Sequence, residues 1–212
     1  MGIFCYNKGM EEKIAKIKAW LGTGSINIFG LPMSGKDTQG VKLAEVLGAK
    51  FLSSGMIIRE MESTTQQAYS SNGDLIPTDV FYDWVLPYFE RTDLTDYPLI
   101  LSSIGRWFGE EDRVIFTTSR TNHDIKAVVL LNISEDDVRE RYSVSKVLND
   151  RGERPDDKDE ATFEKRLEEF RTKTMPVLKH YQELGLLIDV NGDQSREAVF
   201  EEMINKLAEK AS

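Results

Sequence analysis

Cysteine and histidine are nearly missing from this chain. Its 212 residues include one cysteine, Cys5, and two histidines, His123 and His180. An internal disulfide framework and a four-cysteine zinc site are therefore excluded, and a reducing cytosol is the expected setting. Long hydrophobic runs are also absent. No stretch approaches the roughly 20 apolar residues of a membrane span, and the N-terminus shows no secretory hydrophobic region, so a soluble cytoplasmic protein without a membrane partner is expected. Positive charge is in deficit: 27 Lys+Arg stand against 36 Asp+Glu, a formal charge of -9. That argues against nucleic acid as a partner, and any polyanionic ligand must be held by arginines placed locally. The length suits a single domain over residues 1–212 with a substantial core, expected to act as a monomer.

What is present centres on residues 26–39, INIFGLPMSGKDTQ. A short apolar run, Ile26 to Phe29, meets Gly30, then Ser34, Gly35 and Lys36, and then a segment patterned as helix from Thr38 to Leu47. This order predicts strand, phosphate loop and helix. Backbone N–H groups at a helix N-terminus converge on one spot and, with the positive end of the helix dipole, bind phosphate. Lys36 adds a cation that reaches the outer phosphates of a nucleoside triphosphate. The strict motif places Ser or Thr after the lysine. Here Asp37 fills that slot and Thr38 follows it.

The rest of the chain alternates short apolar runs with amphipathic segments. Helix is predicted over Met10 to Leu21, from about Met56, over Thr78 to Glu90, from Glu135, over Glu160 to about Leu184, and over Arg196 to Lys210. Strands are predicted at Ala49 to Leu52, Tyr97 to Leu101, Ala127 to Ile133 and Leu186 to Val190. Residues 1–9 are expected to be loosely attached, and 143–158 to form an exposed flap. Short, wholly apolar strands between helices imply a mostly parallel sheet covered on both faces. Ligands of such sheets sit beyond the carboxyl ends of the strands, so Gly30, Ser53, Ser102 and the end of the 127–133 run should converge on one cleft. His123 and His180 read as surface or packing residues, and Trp84 and Trp107 as core or cleft wall.

These strand ends and motifs resemble the adenylate kinase family of nucleoside monophosphate kinases from Ile26 onward. GLPMSGKDTQ is similar to that family's phosphate loop, LSSGMIIRE (52–60) to its monophosphate-binding segment, and NGDLIPTD (72–79) to the stretch that closes over the acceptor base. Arg141, Arg154 with Pro155, Arg166 with Leu167, and Thr174 to Pro176 recur in the family's order. The resemblance implies a P-loop α/β/α fold, with a monophosphate-binding flap (53–80) and a short lid (141–157) inserted in one domain. It implies phosphoryl transfer from ATP to a nucleoside monophosphate, AMP first, with Mg2+ as cofactor. Gly30, Met33, Ser34, Gly35, Lys36, Asp37, Thr38 and Arg141 would bind ATP. Ser54, Gly55, Arg59, Ile76, Arg106 and Glu110 would bind the acceptor. Lys36, Arg106, Arg141, Arg154 and Arg166 would surround the transferring group, because guanidinium forks match phosphate oxygens and stay charged.

Four departures accompany the resemblance. Ser102-Ser-Ile-Gly-Arg106 stands where the family carries Asp-Gly-Phe/Tyr-Pro-Arg, so the aspartate that organises the magnesium water shell is missing. Glu110 replaces a glutamine that reads adenine, and guanine would suit a carboxylate better. Met33 replaces a loop glycine, and the lid is short and lacks cysteines. Asp37 either binds magnesium or its waters with Ser102 and Ser103, or caps the loop helix. The alternatives to an AMP kinase are a kinase for GMP, UMP or CMP, and a catalytically weak nucleotide-binding protein of the same fold.

Overall fold

The computed structural model describes residues 8–67, 69, 74–148 and 159–212. Five strands, β1 (Ser25–Gly30), β2 (Lys50–Ser53), β3 (Leu99–Ser102), β4 (Ile125–Asn132) and β5 (Leu187–Asn191), form one sheet in the order β2-β3-β1-β4-β5. Every pairing in it is parallel. Helices α1 (Lys8–Leu21), α2 (Lys36–Leu47) and α9 (Arg196–Lys210) cover one face. The other face carries α3 (Ser54–Thr65), α4 (Thr78–Trp84), α5 (Glu110–Arg120), α6 (Glu135–Leu148), α7 (Glu160–Glu169) and α8 (Met175–Glu183). This is the P-loop three-layer α/β/α fold.

The two-residue period of a strand explains the two cores. Ile26, Ile28, Ala127, Val129 and Leu131 point to the α1/α2/α9 side, while Phe29, Leu99, Leu101, Val128 and Leu130 point to the other. Because β3 lies between β2 and β1, the connection leaving β1 runs toward one edge of the sheet and that leaving β3 toward the other, and a crevice opens at the carboxyl ends of these two strands. The register sets Ser53 opposite Ser102 and Ser102 opposite Ile28, so the residues that leave these strands start level with one another.

Several predicted boundaries need correction. The segment from Thr78 to Glu90 is not one helix: α4 ends at Trp84, and a 3-10 turn, Leu86–Glu90, follows. Pro87 lacks the N–H that an α-helix would need there. The helix predicted from Glu160 to about Leu184 is likewise divided, with a π-helical turn at Phe170–Thr174 before Pro176 in the first turn of α8. Helix α5 was not anticipated, since only Val114 among its apolar residues is buried and the stripe is faint. Helix begins at Lys8 and Ser54, each two residues before the predicted start; at the second, Ser53 Oγ accepts from Met56 N at 3.2 Å and caps α3. Residues 8–9, expected to be loosely attached, belong to α1, and 143–148 of the predicted flap belong to α6; the rest of these two predictions, 1–7 and 149–158, lies outside the described residues.

The helices that flank this flap are tied at their bases. Arg139 donates to both carboxylate oxygens of Glu164, at 2.7 and 2.9 Å, and to Glu135 at 2.8 Å. Tyr142 stacks on Phe163 with ring centroids 4.2 Å apart.

Candidate active site

The phosphate loop leaves β1 at Gly30, where a Cβ would lie 2.5 Å from Ser34 Oγ and 3.2 Å from Leu131 O, so glycine lets the loop fold back closely on the strand end. Met33 and Gly35 both take left-handed backbone, φ 66° and 86°. Gly35 does so without strain, whereas Met33 pays a steric cost for it. Lys36 opens α2, and its Nζ lies 3.4 Å from the Leu31 carbonyl oxygen, across the loop.

Two clefts flank this loop, where the sequence suggested one. The first lies between the loop, α3 and the turn after β3. Its cationic lining is Lys36, Arg59, Arg106 and Arg166, and its apolar lining is Ile58, Ile76, Phe81 and Trp107. The second runs between the loop and α2 on one side and α6 with the β5–α9 connection on the other, with Ser34, Thr38, Arg141, Asp193 and Arg196 in its wall. Met33, Lys36 and Asp37 belong to both. The end of β4 contributes indirectly: Gly192 N donates to Asn132 O at 2.7 Å, and Arg141 Nη2 donates to Gly192 O at 3.0 Å. Gln39 Nε2 donates to Arg196 O at 2.8 Å and anchors the same connection to α2.

All six residues predicted for the acceptor, Ser54, Gly55, Arg59, Ile76, Arg106 and Glu110, line the first cleft together with Gly30 and Arg166. Met33, Ser34, Gly35, Lys36, Asp37, Thr38 and Arg141 line the second. Arg154 lies outside the described residues. Gly55 has a local reason: a Cβ there would be 3.0 Å from Arg59 Nη1, so glycine lets the guanidinium lie back over the start of α3.

The turn from Ser103 to Glu110 is held from below and from within. Asn27, wholly buried in β1, donates Nδ2 to Ile104 O at 2.8 Å and accepts from Ile104 N at 3.3 Å. On either side, Ser103 and Gly105 have φ 54° and 78°. Glu110 is 2% exposed; its Oε2 accepts from Arg106 N at 2.8 Å and Trp107 N at 3.0 Å, and its Oε1 from Thr78 Oγ1 at 2.9 Å. Burial pushes the Glu110 carboxyl above its ordinary range, against the downward pull of these donors. Glu110 therefore stitches the turn together and ties it to the start of α4. Trp107 Nε1 donates to Ile76 O at 3.2 Å, and Lys173 Nζ sits 4.0 Å from its ring centroid. Trp107 is thus cleft wall, whereas Trp84 is core.

Asn27, Asp193 and Arg196 were not picked out from the sequence. A polar residue inside an apolar strand was a readable sign at Asn27, and a Gly-Asp turn after a strand was a weaker one at Asp193. Nothing local marks Arg196. The histidines prove to be packing residues of two kinds. His123 is buried with Nδ1 2.8 Å from Thr23 O. His180 lies with Nδ1 2.9 Å from Oε1 of the buried Glu111, a partner that the sequence did not suggest.

The adenylate kinase family model matches residues 28–186. The chain is similar to the adenylate kinases of Streptococcus pyogenes serotype M49 (strain NZ131) and Streptococcus agalactiae serotype III (strain NEM316). Each is 27% identical over 207 residues, which cover 86% of this chain and 97% of the relative. The match takes in the phosphate loop from Ile28, the acceptor cleft, α6 and the described arm α7. With three quarters of its length inside that match, the chain belongs to the adenylate kinase family.

Proposed function

We propose that this protein transfers the terminal phosphoryl group of ATP to a nucleoside monophosphate, with AMP the first acceptor because of its family and GMP the alternative that Glu110 favours. One observation carries the reading: Met33, Lys36 and Asp37 are wall to both clefts, so nucleotides bound on either side meet at the lysine. Donor phosphates on the loop side receive N–H groups from the start of α2. The acceptor phosphate faces Arg59, Arg106 and Arg166, whose charges offset the oxygens brought together. Little covalent work remains for the protein, so alignment and exclusion of water are its tasks. Residues 53–80 and 141–157 close as flap and lid over the two clefts, and hydrogen exchange slows in both on binding a two-substrate analogue.

The oxygens of Asp37 and Ser102 lie together at the junction of the clefts and suit a hard cation, so they would help to hold Mg2+. When bound, that ion neutralises charge on the phosphates. A cytoplasmic, monomeric enzyme fits the single cysteine and the described helices, none of which is long and apolar enough to cross a membrane.

The serine at position 102 favours a second reading, a nucleotide-binding protein with weak turnover. Steady-state transfer measured across AMP, GMP, CMP and UMP, with Lys36→Ala as control, separates the two. The kinase reading expects turnover that falls by roughly 100-fold or more in the variant at unchanged melting temperature. Tight nucleotide binding without turnover in the unaltered protein would establish the second reading.

A further inference from the structure

A departure from the strict loop motif and a departure from the family pattern touch each other. Asp37 stands where the loop motif has a hydroxyl residue, and Ser102 stands where an aspartate is expected. They are 65 positions apart, and Ser102 Oγ donates to Asp37 Oδ1 at 2.6 Å. Ser102 is 1% exposed at the end of β3, in the wall of the acceptor cleft, while Asp37 is wall to both clefts. The carboxylate at this junction therefore comes from the loop helix, and the hydroxyl beside it from the end of β3.

We propose that Asp37, oriented by Ser102, is the residue that positions magnesium on the bound nucleotide, taking from the loop helix the role expected of a carboxylate at the end of β3. This rests on the kinase reading above. A carboxylate beside a triphosphate is repelled unless a cation lies between them, so Asp37 opposes nucleotide binding without metal and assists it with metal. The Ser102 hydroxyl donates to Asp37 Oδ1 and holds the carboxylate turned toward the junction. Magnesium takes one or two carboxylates together with substrate phosphates and retains several waters. Among the described residues, no group of three or more His, Cys, Asp or Glu could hold a metal alone, so a magnesium ion here would take most of its ligands from the nucleotide and water. Close by, in the wall of the donor cleft, Ser34 Oγ is buried without a hydrogen-bond partner, a polar group left for the ligand to satisfy. Capping of α2 by Asp37 explains none of the contact with Ser102.

The test measures binding of a non-hydrolysable ATP analogue by calorimetry, with and without Mg2+, in the unaltered protein, Asp37→Asn, Asp37→Ser and the double variant Asp37→Ser with Ser102→Asp. Circular dichroism shows that each is folded, and Asp37→Asn keeps the shape should Asp37→Ser not fold. The expected result is a gain in affinity from Mg2+ that shrinks about tenfold in both single variants, while metal-free affinity tightens. The double variant recovers the gain because its carboxylate returns to the junction from the other side. Mn2+ bound with the analogue, followed by electron paramagnetic resonance, should lose and regain its protein-bound line shape in step. An unchanged magnesium gain in folded Asp37→Asn overturns the proposal, as does failure of the folded double variant to recover it. If the unaltered protein binds the analogue under neither condition, the kinase reading itself falls and takes this proposal with it.

Discussion

Thr78 donates its hydroxyl to Glu110 at 2.9 Å, joining the start of α4 to the turn after β3 across the acceptor cleft. With Arg106 N and Trp107 N also given to Glu110, and Trp107 Nε1 given to Ile76 O, the donors around the apolar part of this cleft are spent within the protein. Glu110 can accept but not donate, so it meets an amino group but not the ring nitrogen beside it in adenine. Guanine offers two adjacent donors. Glu110→Gln should therefore raise kcat/KM for AMP relative to GMP by about tenfold, the scale of one altered polar contact. Acceptor kinetics check this, and an unmoved ratio would assign Glu110 to the turn alone.

Asn27 holds Ile104 by two hydrogen bonds between residues with positive φ. Asn27→Ala leaves the Ile104 N–H and C=O buried without these partners, at a cost of about 1–3 kcal/mol for each group left unsatisfied. Denaturant unfolding should register the loss. The Michaelis constant for the monophosphate should rise more than that for ATP, because Arg106 rides on the loosened turn.

His180 faces the buried Glu111 carboxylate, which with the charges of Asp112 and Glu183 raises the imidazole above its ordinary value. A histidine raised on folding stabilises the protein fully below its unfolded value, about 6.5, and that contribution disappears as pH rises through the higher folded value. The melting temperature of the unaltered protein should exceed that of His180→Gln in mildly acidic buffer, and the margin should shrink toward alkaline pH. A margin independent of pH would mean that folding leaves the proton affinity of the imidazole unchanged.

Met33 holds left-handed backbone in the loop and lines both clefts. Met33→Gly removes a strain of about 1 kcal/mol or more, offset by roughly 0.5–1 kcal/mol of added chain entropy in the unfolded state. Stability should stay within about 1 kcal/mol of the original by that balance. ADP affinity should increase severalfold as backbone approaches phosphate. Weaker binding in a folded variant would show that the side chain contributes to the site.

Much of this architecture is legible in residue order. The loop at 30–36, the apolar runs of β1 and β4, and α9 from Arg196 to Lys210 depend on periodicity, glycine and chain length over a few neighbours, and they stand where the pattern puts them. Even Ser54, Gly55 and Arg59 follow from one capped helix turn. Where an element's limits depend on a faint stripe or a proline, as at α5, Pro87 and Pro176, local reading fails because tertiary packing and the missing N–H choose the outcome. The pairings Asp37–Ser102, Thr78–Glu110 and Glu111–His180 lie beyond such reading altogether, each joining residues at least 32 positions apart. They exist because β3 enters the sheet between β2 and β1 and brings its carboxyl end level with the phosphate loop. Sheet order is settled by burial on two faces at once, and no short window of residues contains that information.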